Sequence, residues 1–416
     1  MRKMSKAISL LLCIGVLAGC TACSNNPKSS NDMSSSETGT GEQVEIKFAY
    51  FGGVADQTRY ETNMAGGIEE ALPHIKMSIQ MYASDQEFYT AVPVALAAGT
   101  GPDIFTDEPT LEYINNGLIS ELDSYLDEVG FDWGSYSKTA KDGCQYDGKT
   151  YAVPYSTSVS ALAVNMDMLN AAGIESVPKT MEELKTAAKA MTKDGVYGLC
   201  IWPTEHHLSQ YIHAFGGDWG YGKTINSPEN AEGLQFVVDL FKEGCAVTPN
   251  QVGASWDGEA FANGLVAMST GGNWYLGAVE GVNPDLNFEL VPVPGDENGV
   301  ETLQLGTLLM SESCSHKKEA AEVMKYMVSP ENLEKNIELG DVPSTDDLRT
   351  QAMEATPALD ALFSVSDDIG RPFAYPEKKK EFASALSSGM EDIIFRGGDG
   401  NTVEALLENL QAEYGQ

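Results

Sequence analysis

The sequence predicts an α/β fold arranged in two lobes. Short apolar segments with strand character alternate with helix-sized amphipathic segments from residue 44 to about residue 201, a pattern typical of α/β domains with parallel or mixed sheets. The chain beyond the N-terminal segment is roughly 370 residues long, which exceeds what one hydrophobic core usually serves. Two lobes are therefore the expected organisation.

The N-terminal segment predicts export. Three basic residues precede the apolar run 7–16, which leads into Leu17-Ala18-Gly19-Cys20. Such a run is too short to span a bilayer, and residues 1–19 are predicted to be a signal peptide. The tetrapeptide resembles the bacterial lipobox, which implies that cleavage makes Cys20 the new N-terminus and that Cys20 carries lipid. A plain secretory peptide is the alternative.

The segment that follows Cys20 predicts a flexible tether. Residues 20–43 are rich in Ser, Asn, Thr and Gly and contain few apolar residues. Such a composition does not bury enough surface to offset the entropy of folding.

Strand and helix signals then follow in order. Val44–Phe51 alternates and ends at two glycines, so it predicts a first strand that stops at a loop. A strand at Lys76–Tyr82, a helix at Asp85–Ala98 and a strand at Asp103–Phe105 come next. Ligands of open α/β sheets bind at such strand ends.

The rest of the chain continues the alternation and then becomes mainly helical. Strands are predicted at 151–154, 162–164, 196–201 and 266–268. Helices are predicted at 180–191, 228–243 (capped by Ser227), 317–328, 330–339, 376–396 and 402–414.

Charge and cysteine usage exclude some classes of function. A net charge of −35 makes nucleic acid an unexpected partner. The cysteines of the folded part are widely spaced, without Cys-x-x-Cys or Cys/His pairing, so neither a metal site nor a cofactor is predicted. The compartment outside the cytoplasm, to which the export signal directs the chain, would allow one or two disulfides. Buried free thiols are the alternative. These cysteines are Cys144, Cys200, Cys245 and Cys314.

Several segments resemble, in order, the extracellular solute-binding proteins of the maltose-binding type. The matching segments are Ala97–Asp103, Tyr146–Tyr155, Leu162–Asp167, Pro178–Leu184, Phe261–Gly264 and Gly272–Trp274. Val164 and Met181 stand where the family usually has Tyr and Trp. At Gln304–Thr307 many members have two or three glycines.

The resemblance implies a periplasmic-binding-protein-like clamshell, in which crossover segments form a hinge. It implies an N-lobe of residues 44–157 and 294–334 and a C-lobe of residues 158–293 and 335–416. The expected function is that of a substrate-binding component of an ABC importer, without enzymatic activity. We expect a monomer that is anchored outside the cytoplasm through Cys20, takes a sugar-like ligand and delivers it to membrane permease subunits.

A sugar site needs aromatic planes for the C–H faces and polar groups for the hydroxyls. Trp274 is the first candidate, because it follows a strand, is preceded by glycines and matches the family's stacking position. Asp107, or Glu108 in its place, would accept hydroxyl hydrogen bonds. The further candidates, at strand ends, hinge positions or beside glycines, are Phe51, Tyr155, Trp202, Trp219, Trp256, Asn273 and Arg371.

Other classes of function compete with this interpretation. Gly217–Thr224 has the spacing of a phosphate-binding P-loop, but no helix is predicted to begin at Lys223-Thr224, so we reject that class. A secreted carbohydrate-active hydrolase stays open, because a pair of catalytic carboxylates has no sequence signature. A binding protein for a polyol, a peptide or another solute is the third alternative.

Overall fold

The structure is a computed structural model and describes residues 43–193, 195–295, 299–397 and 401–416. The predicted signal peptide and Cys20 lie outside the described residues, as does the tether except for Gln43. The strands are β1 Val44–Phe51, β2 Ile75–Tyr82, β3 Ile104–Thr106, β4 Gln145–Tyr146, β5 Lys149–Thr150, β6 Ala152–Asn165, β7 Tyr197–Cys200, β8 Ala246–Val247, β9 Val266–Gly272, β10 Phe288–Val291, β11 Glu301–Met310 and β12 Gly370–Pro372.

Helices surround these strands. They are α1 Val54–Gln57, α2 Ile68–Ala71, α3 Asp85–Ala97, α4 Leu111–Asn115, α5 Asp123–Glu128, α6 Lys138–Asp142, α7 Met166–Ala171, α8 Met181–Met191, α9 Glu205–Ala214, α10 Pro228–Lys242, α11 Asp257–Ala262, α12 Tyr275–Val282, α13 Lys317–Met327, α14 Pro330–Ile337, α15 Asp346–Ala355, α16 Asp360–Phe363, α17 Ser366–Ile369, α18 Lys379–Glu391 and α19 Val403–Tyr414. A π-helical segment, Thr58–Met64, follows α1, and another, Asp392–Arg396, follows α18. Short 3₁₀ turns lie at Trp133–Ser135, Gly220–Gly222, Pro249–Val252 and Pro357–Leu359.

The main sheet has the strand order β2-β1-β3-β11-β6-β9-β7-β8, while β10 pairs with β6 and β12 with β11. Strand β1 is parallel to its neighbours β2 and β3, and β7 is parallel to its neighbours β8 and β9. The pairs that β6 makes with β9 and β11 are antiparallel. The first half of β6 pairs with β11 and its second half with β9, so this one strand joins the two parts of the sheet.

Two regions of packed side chains lie on either side of this junction, and the fold is a two-lobed α/β fold as the sequence predicts. We call the part packed around β1–β3 the N-lobe; its core includes Ile46, Phe48, Phe88 and Phe105. The part packed around β7–β9 is the C-lobe; its core includes Leu199, Met268, Phe261, Trp219 and Phe382.

Most predicted elements lie where the periodicity placed them. The prediction of two separate strands at 151–154 and 162–164 is wrong, because a single strand, β6, runs from Ala152 to Asn165. The serines and threonine between the two apolar segments suggested a break. In the structure this polar stretch is extended, because it crosses from one lobe to the other.

The crossover of β6 and β11 has an irregular register. The pairing shifts between Gly306 and Thr307, opposite Ser156 and Pro154. A Cβ atom at position 306 would lie 2.5 Å from the Tyr155 ring, so glycine is required there. The segment 341–345 runs alongside, where Thr157 N donates to the carbonyl of Val342 at 2.7 Å.

The four cysteines of the described part are buried and free. Of the two alternatives that the sequence left open, the structure therefore has free thiols. Burial raises the pKa of the Cys144 and Cys200 thiols, so these groups are poor nucleophiles. Within the described ranges, no helix combines the length and apolar character needed to cross a bilayer.

Candidate functional site

A long groove lies between the lobes, above the crossover of β6 and β11. Three cavities make up this groove, with volumes of about 960, 1010 and 1280 Å³ including space open to solvent. Tyr89 and Asp107 line both the first and the second cavity, while Arg59, Ser156 and Ser158 line both the second and the third. The shared residues make the cavities one continuous site.

The floor of the groove is polar. Ser158 lies opposite Gln304 in the β6–β11 ladder, and Ser156 lies opposite Gly306. Ser156, Ser158 and Gln304 are partly buried and line the central cavity. Because successive side chains of a strand alternate between its faces, the i, i+2 serines point to the same side. The floor therefore offers two hydroxyls and an amide to a ligand.

The N-lobe wall carries aromatic rings. Phe51, at the end of β1, packs against Tyr89 of α3 with ring centroids 5.6 Å apart. Both rings are partly buried and line the central cavity. Tyr155 also lines it, but its hydroxyl lies 2.7 Å from the hydroxyl of Tyr60. Phe51 and Tyr89 thus present ring surface, while the polar end of Tyr155 is engaged within the protein.

Asp107 follows β3 and holds the tyrosines of this wall. Its Oδ2 accepts a hydrogen bond from Tyr113 at 2.7 Å, and its Oδ1 accepts from Tyr89 at 3.3 Å and from the Glu108 N–H at 2.8 Å. Burial raises the pKa of Asp107 to about 6, although the hydrogen bonds from Tyr113 and the backbone oppose this shift. Much of its acceptor capacity is used inside the protein.

Arg59 is fixed at the junction of two cavities. Its Nε and Nη2 donate to Asp341 at 2.6 and 2.8 Å, and its Nη1 donates to Asp56 at 2.5 Å. This forked pairing orients the guanidinium and neutralises charge in a strongly acidic protein.

The C-lobe wall carries Trp274, which follows β9 and lines the third cavity. A Cβ atom at position 272 would lie 2.1 Å from the Trp274 ring, so Gly272 makes room for the indole to fold back over the strand. Asn273 fastens the same loop to the crossover, because its Oδ1 accepts from Val159 N at 2.9 Å.

His206 of α9 lies behind Trp274. Its ring centroid is 5.4 Å from those of Trp274 and Phe373. Its Nδ1 lies 3.2 Å from the Gln304 amide nitrogen, and its Nε2 lies 3.3 Å from that of Gln210. Burial, followed by the effects of His207 and Lys379, lowers the pKa of His206 well below its usual value. The imidazole is therefore neutral at physiological pH.

A buried hydrogen-bond network supports the C-lobe wall at the start of α9 and at the loop that carries Trp274. His207 Nδ1 lies 2.8 Å from Thr204 Oγ1, and its Nε2 lies 2.9 Å from Asp257 Oδ2. Asp257 also accepts a hydrogen bond from Tyr275, the residue after Trp274. Since His207 is 6% and Asp257 2% exposed, this His–Asp pair faces the protein interior.

Contacts between the lobes close one end of the groove. Lys379 Nζ, at the start of α18, lies 2.5 Å from Glu108 Oε2 of the N-lobe. The ammonium group of Lys380 lies 4.1 Å from the centre of the Tyr89 ring. Both side chains of the Lys379–Glu108 pair are partly buried, so the pair is less screened by solvent than a fully exposed one.

Six candidate residues line the groove, namely Phe51, Asp107, its alternative Glu108, Tyr155, Asn273 and Trp274. Trp202, Trp256 and Arg371 are partly buried and lie outside the lining of its three cavities.

The prediction that Trp219 lines the mouth of the cleft is wrong. Its side chain is fully buried in the C-lobe core, donates to Ser209 Oγ at 2.9 Å and packs edge-on against Phe382. Flanking glycines suggested an exposed loop tip, but the indole found both apolar packing and a hydrogen-bond acceptor inside the lobe.

Sequence reasoning missed several residues that form or support the groove. Ser156 and Ser158 fell in the gap between two predicted strands, and their i, i+2 spacing is the one signal that could have placed them on a common face. Gln304 was marked only as a departure from the family's glycines, and the other residues come together through packing between distant segments. Besides the two serines, the missed residues are Arg59, Tyr89, His206, Gln304 and Phe373.

A two-lobed α/β fold with an aromatic and polar groove between its lobes is typical of solute-binding proteins. Comparison with known families agrees: residues 64–361 match the model of the bacterial extracellular solute-binding proteins. This match covers more than half of the chain. The protein belongs to this family.

Individual relatives are distant. The chain is 23% identical over 354 residues to the maltotriose-binding protein of Pyrococcus abyssi, covering 80% of this chain and 74% of the relative. It is also 23% identical to the diacetylchitobiose-binding protein of Streptomyces coelicolor, covering 79% and 78% of the two chains.

Solved structures share the fold. An ABC substrate-binding protein from Listeria monocytogenes, in complex with cycloalternan, superposes with a TM-score of 0.76 at 22% identity, covering 90% of this chain and 98% of the other. A sugar-binding protein from Xanthomonas citri superposes with a TM-score of 0.74 at 19% identity, covering 89% and 96%.

Proposed function

We propose that this protein is the substrate-binding component of an ABC importer and captures a carbohydrate in the groove between its lobes. The observation that carries the proposal is the composition of the groove. Aromatic planes of Phe51, Tyr89 and Trp274 lie on both walls, and the hydroxyls of Ser156 and Ser158 lie on the floor between them. Sugars require this combination of ring surface and hydrogen-bonding partners.

The size of the groove favours an oligosaccharide. Its three cavities are continuous through shared lining residues, so the site extends beyond a single ligand-sized pocket. The relatives named above include proteins whose names specify maltotriose and diacetylchitobiose, both of which are oligosaccharides.

A thermal-shift screen over sugars tests the proposal, followed by calorimetry on each sugar that raises the melting temperature. A ligand at a hundredfold excess over its Kd stabilises the folded state by about 2.7 kcal/mol. A polyol and a short peptide in the same screen represent the other solutes. Stabilisation by peptide alone would contradict a sugar-binding function.

The same samples separate binding from hydrolysis. We expect saturable binding with the sugar recovered intact, as analysed by chromatography after prolonged incubation. Release of shorter sugars would indicate a hydrolase instead.

We further propose that the chain is a monomeric lipoprotein whose lobes close around the ligand and then engage the permease subunits. The proposed lobes are residues 44–157 with 294–334 and residues 158–293 with 335–416. Leu333 of α14 and Leu348 of α15 both pack in the N-lobe core with β1. Val342 and Ala352 pack instead in the C-lobe core, so the third crossover, proposed at residue 334, is best sought in the segment from α14 to α15.

Membrane anchoring rests on the sequence around Cys20. We expect Cys20→Ala to leave a folded domain that fractionates with the soluble material, since two acyl chains would otherwise hold the protein at the membrane. Wild-type melting behaviour of the purified variant is the control. Membrane association equal to that of the wild type would contradict the anchor.

A further inference from the structure

The hydrogen-bond donors and acceptors around His206 determine which atoms the groove floor presents to a ligand. Gln210 is fully buried, and its Nε2 lies 3.1 Å from the carbonyl oxygen of Gly271. A carbonyl accepts only, so the NH₂ group of Gln210 must face Gly271. The Oε1 atom of Gln210 has no partner among the described residues, which is the cost of this orientation.

The orientation of Gln210 fixes the tautomer of His206. The second N–H of Gln210 points at His206 Nε2, 3.3 Å away, so Nε2 must accept. A neutral imidazole with an accepting Nε2 carries its proton on Nδ1. Protonating both nitrogens would set two donors against each other.

The Nδ1–H of His206 then fixes the amide of Gln304. The Gln304 amide nitrogen is placed 3.2 Å from Nδ1, where two donors would face each other. Oxygen and nitrogen of an amide are exchanged by a simple flip, and only the flipped amide gives Nδ1–H an acceptor. The Gln304 Oε1 therefore faces His206, and its NH₂ group faces the groove, whose central cavity Gln304 lines.

We propose that Gln304 is a specificity-determining residue that donates a hydrogen bond to an oxygen of the ligand. Its amide is oriented by the chain of hydrogen bonds from Gln210 through His206 to Gln304, which we call the relay. This inference rests on the proposed function and assigns one recognition element of that site. The relay selects a hydroxyl, acetal or carboxylate oxygen that accepts, and it disfavours a ligand group that can only donate at this point.

The relay is held in place by packing. The His206 ring centroid lies 5.4 Å from those of both Trp274 and Phe373. The ionisable groups that act on the ring are His207, Lys379 and His213, and each of them disfavours the imidazolium form. The imidazole therefore stays neutral and donates from only one of its nitrogens.

Nitrogen NMR of the Cys20→Ala protein, labelled with nitrogen-15 at histidine, tests the tautomer without any ligand. The chain contains five histidines, and loss of one signal in His206→Asn assigns the resonance. We expect His206 to be the neutral Nδ1–H tautomer at pH 7 to pH 8. A neutral Nε2–H tautomer, or an imidazolium in this range, would overturn the relay.

Affinity measurements on Gln304→Glu test the donor. The variant carboxylate still accepts from His206 Nδ1–H but offers no donor to the groove. For the sugar that the wild type binds most tightly, we expect roughly ten- to hundredfold weaker binding. Gln80→Glu, on an exposed position of β2, adds the same charge and should bind as the wild type.

An unchanged Kd for Gln304→Glu, with the melting temperature retained, would also overturn the proposal. Gln304→Met serves as a second variant if the glutamate prevents folding, because it fills a similar volume and lacks the donor. Failure of every sugar to bind the wild type would refute the proposed function, and the NMR measurement would still decide the relay.

Discussion

At the scale of single residues, Trp274 is the aromatic side chain best placed to carry ligand affinity. It is partly buried, follows β9 and lines the groove opposite the N-lobe rings. Removal of an aromatic anchor typically costs at least about 2 kcal/mol, or roughly thirtyfold in affinity. Calorimetry on Trp274→Ala should show a loss of this order.

The control for Trp274→Ala is Trp133→Ala, a partly buried tryptophan of the N-lobe that packs against Phe131 and Tyr136. This variant should lose stability and keep the affinity of the wild type. Equal affinities of the wild type and Trp274→Ala would contradict the role of the indole.

Asp107 makes the stability of the protein depend on pH. Its pKa is raised to about 6 in the folded state, so between about pH 4 and pH 6 the folded protein holds a proton that the unfolded chain has lost. This contribution to stability is complete below the unfolded pKa and is lost as pH rises through 6. The free-energy change is up to about 3 kcal/mol.

Urea denaturation of wild type and Asp107→Asn at pH 4 and pH 7 measures this contribution. We expect the free energy of unfolding of the wild type, relative to the variant, to fall as pH rises over this interval. A difference between the two proteins that is the same at both pH values would contradict the assignment.

At the scale of elements, the crossover of β6 and β11 depends on one glycine. Gly306→Ala would place a methyl group 2.5 Å from the Tyr155 ring, and such overpacking typically costs about 1–3 kcal/mol. We expect a lower urea midpoint for this variant. Gly281→Ala in α12, which meets nothing within 4 Å, should be neutral or stabilising.

The start of α18 joins the lobes through the Lys379–Glu108 pair. Neutralising either partner should speed ligand release, because closing the groove brings these charges together. We expect a coupling of about 1 kcal/mol, or roughly fivefold in the dissociation rate, from a double-mutant cycle of Lys379→Gln and Glu108→Gln. Strict additivity of the two variants would show that the pair does not couple.

A matched control for this cycle is Lys138→Gln. Lys138 pairs with Asp142 on the exposed surface of α6, within one helix, so its neutralisation removes an ion pair without touching the contact between the lobes. Its dissociation rate should equal that of the wild type.

At the scale of the whole molecule, ligand binding should make the protein more compact. Residues of both lobes line one groove, so a ligand that contacts both walls favours the closed arrangement by its difference in affinity for the two states. Small-angle scattering should show a smaller radius of gyration at saturating ligand. An unchanged radius would contradict hinge closure.

The sequence by itself determined the class of fold and the position of most elements. Hydrophobic periodicity and capping signals are local, and for this reason they placed β1, α3 and α10 to within a residue of their observed bounds. The order of motifs also indicated the family. Strand ends gave most of the predicted residues that line the groove, because strand ends are visible in a sequence.

The tertiary structure decided the partners of each side chain. It made one strand of the two short segments that became β6, and it buried Trp219 while Trp274 remained at the groove. It also brought Gln210, His206 and Gln304 together from α9 and β11. These contacts depend on the packing of segments far apart in the chain, and local sequence patterns carry no record of which distant groups compete for one buried hydrogen bond.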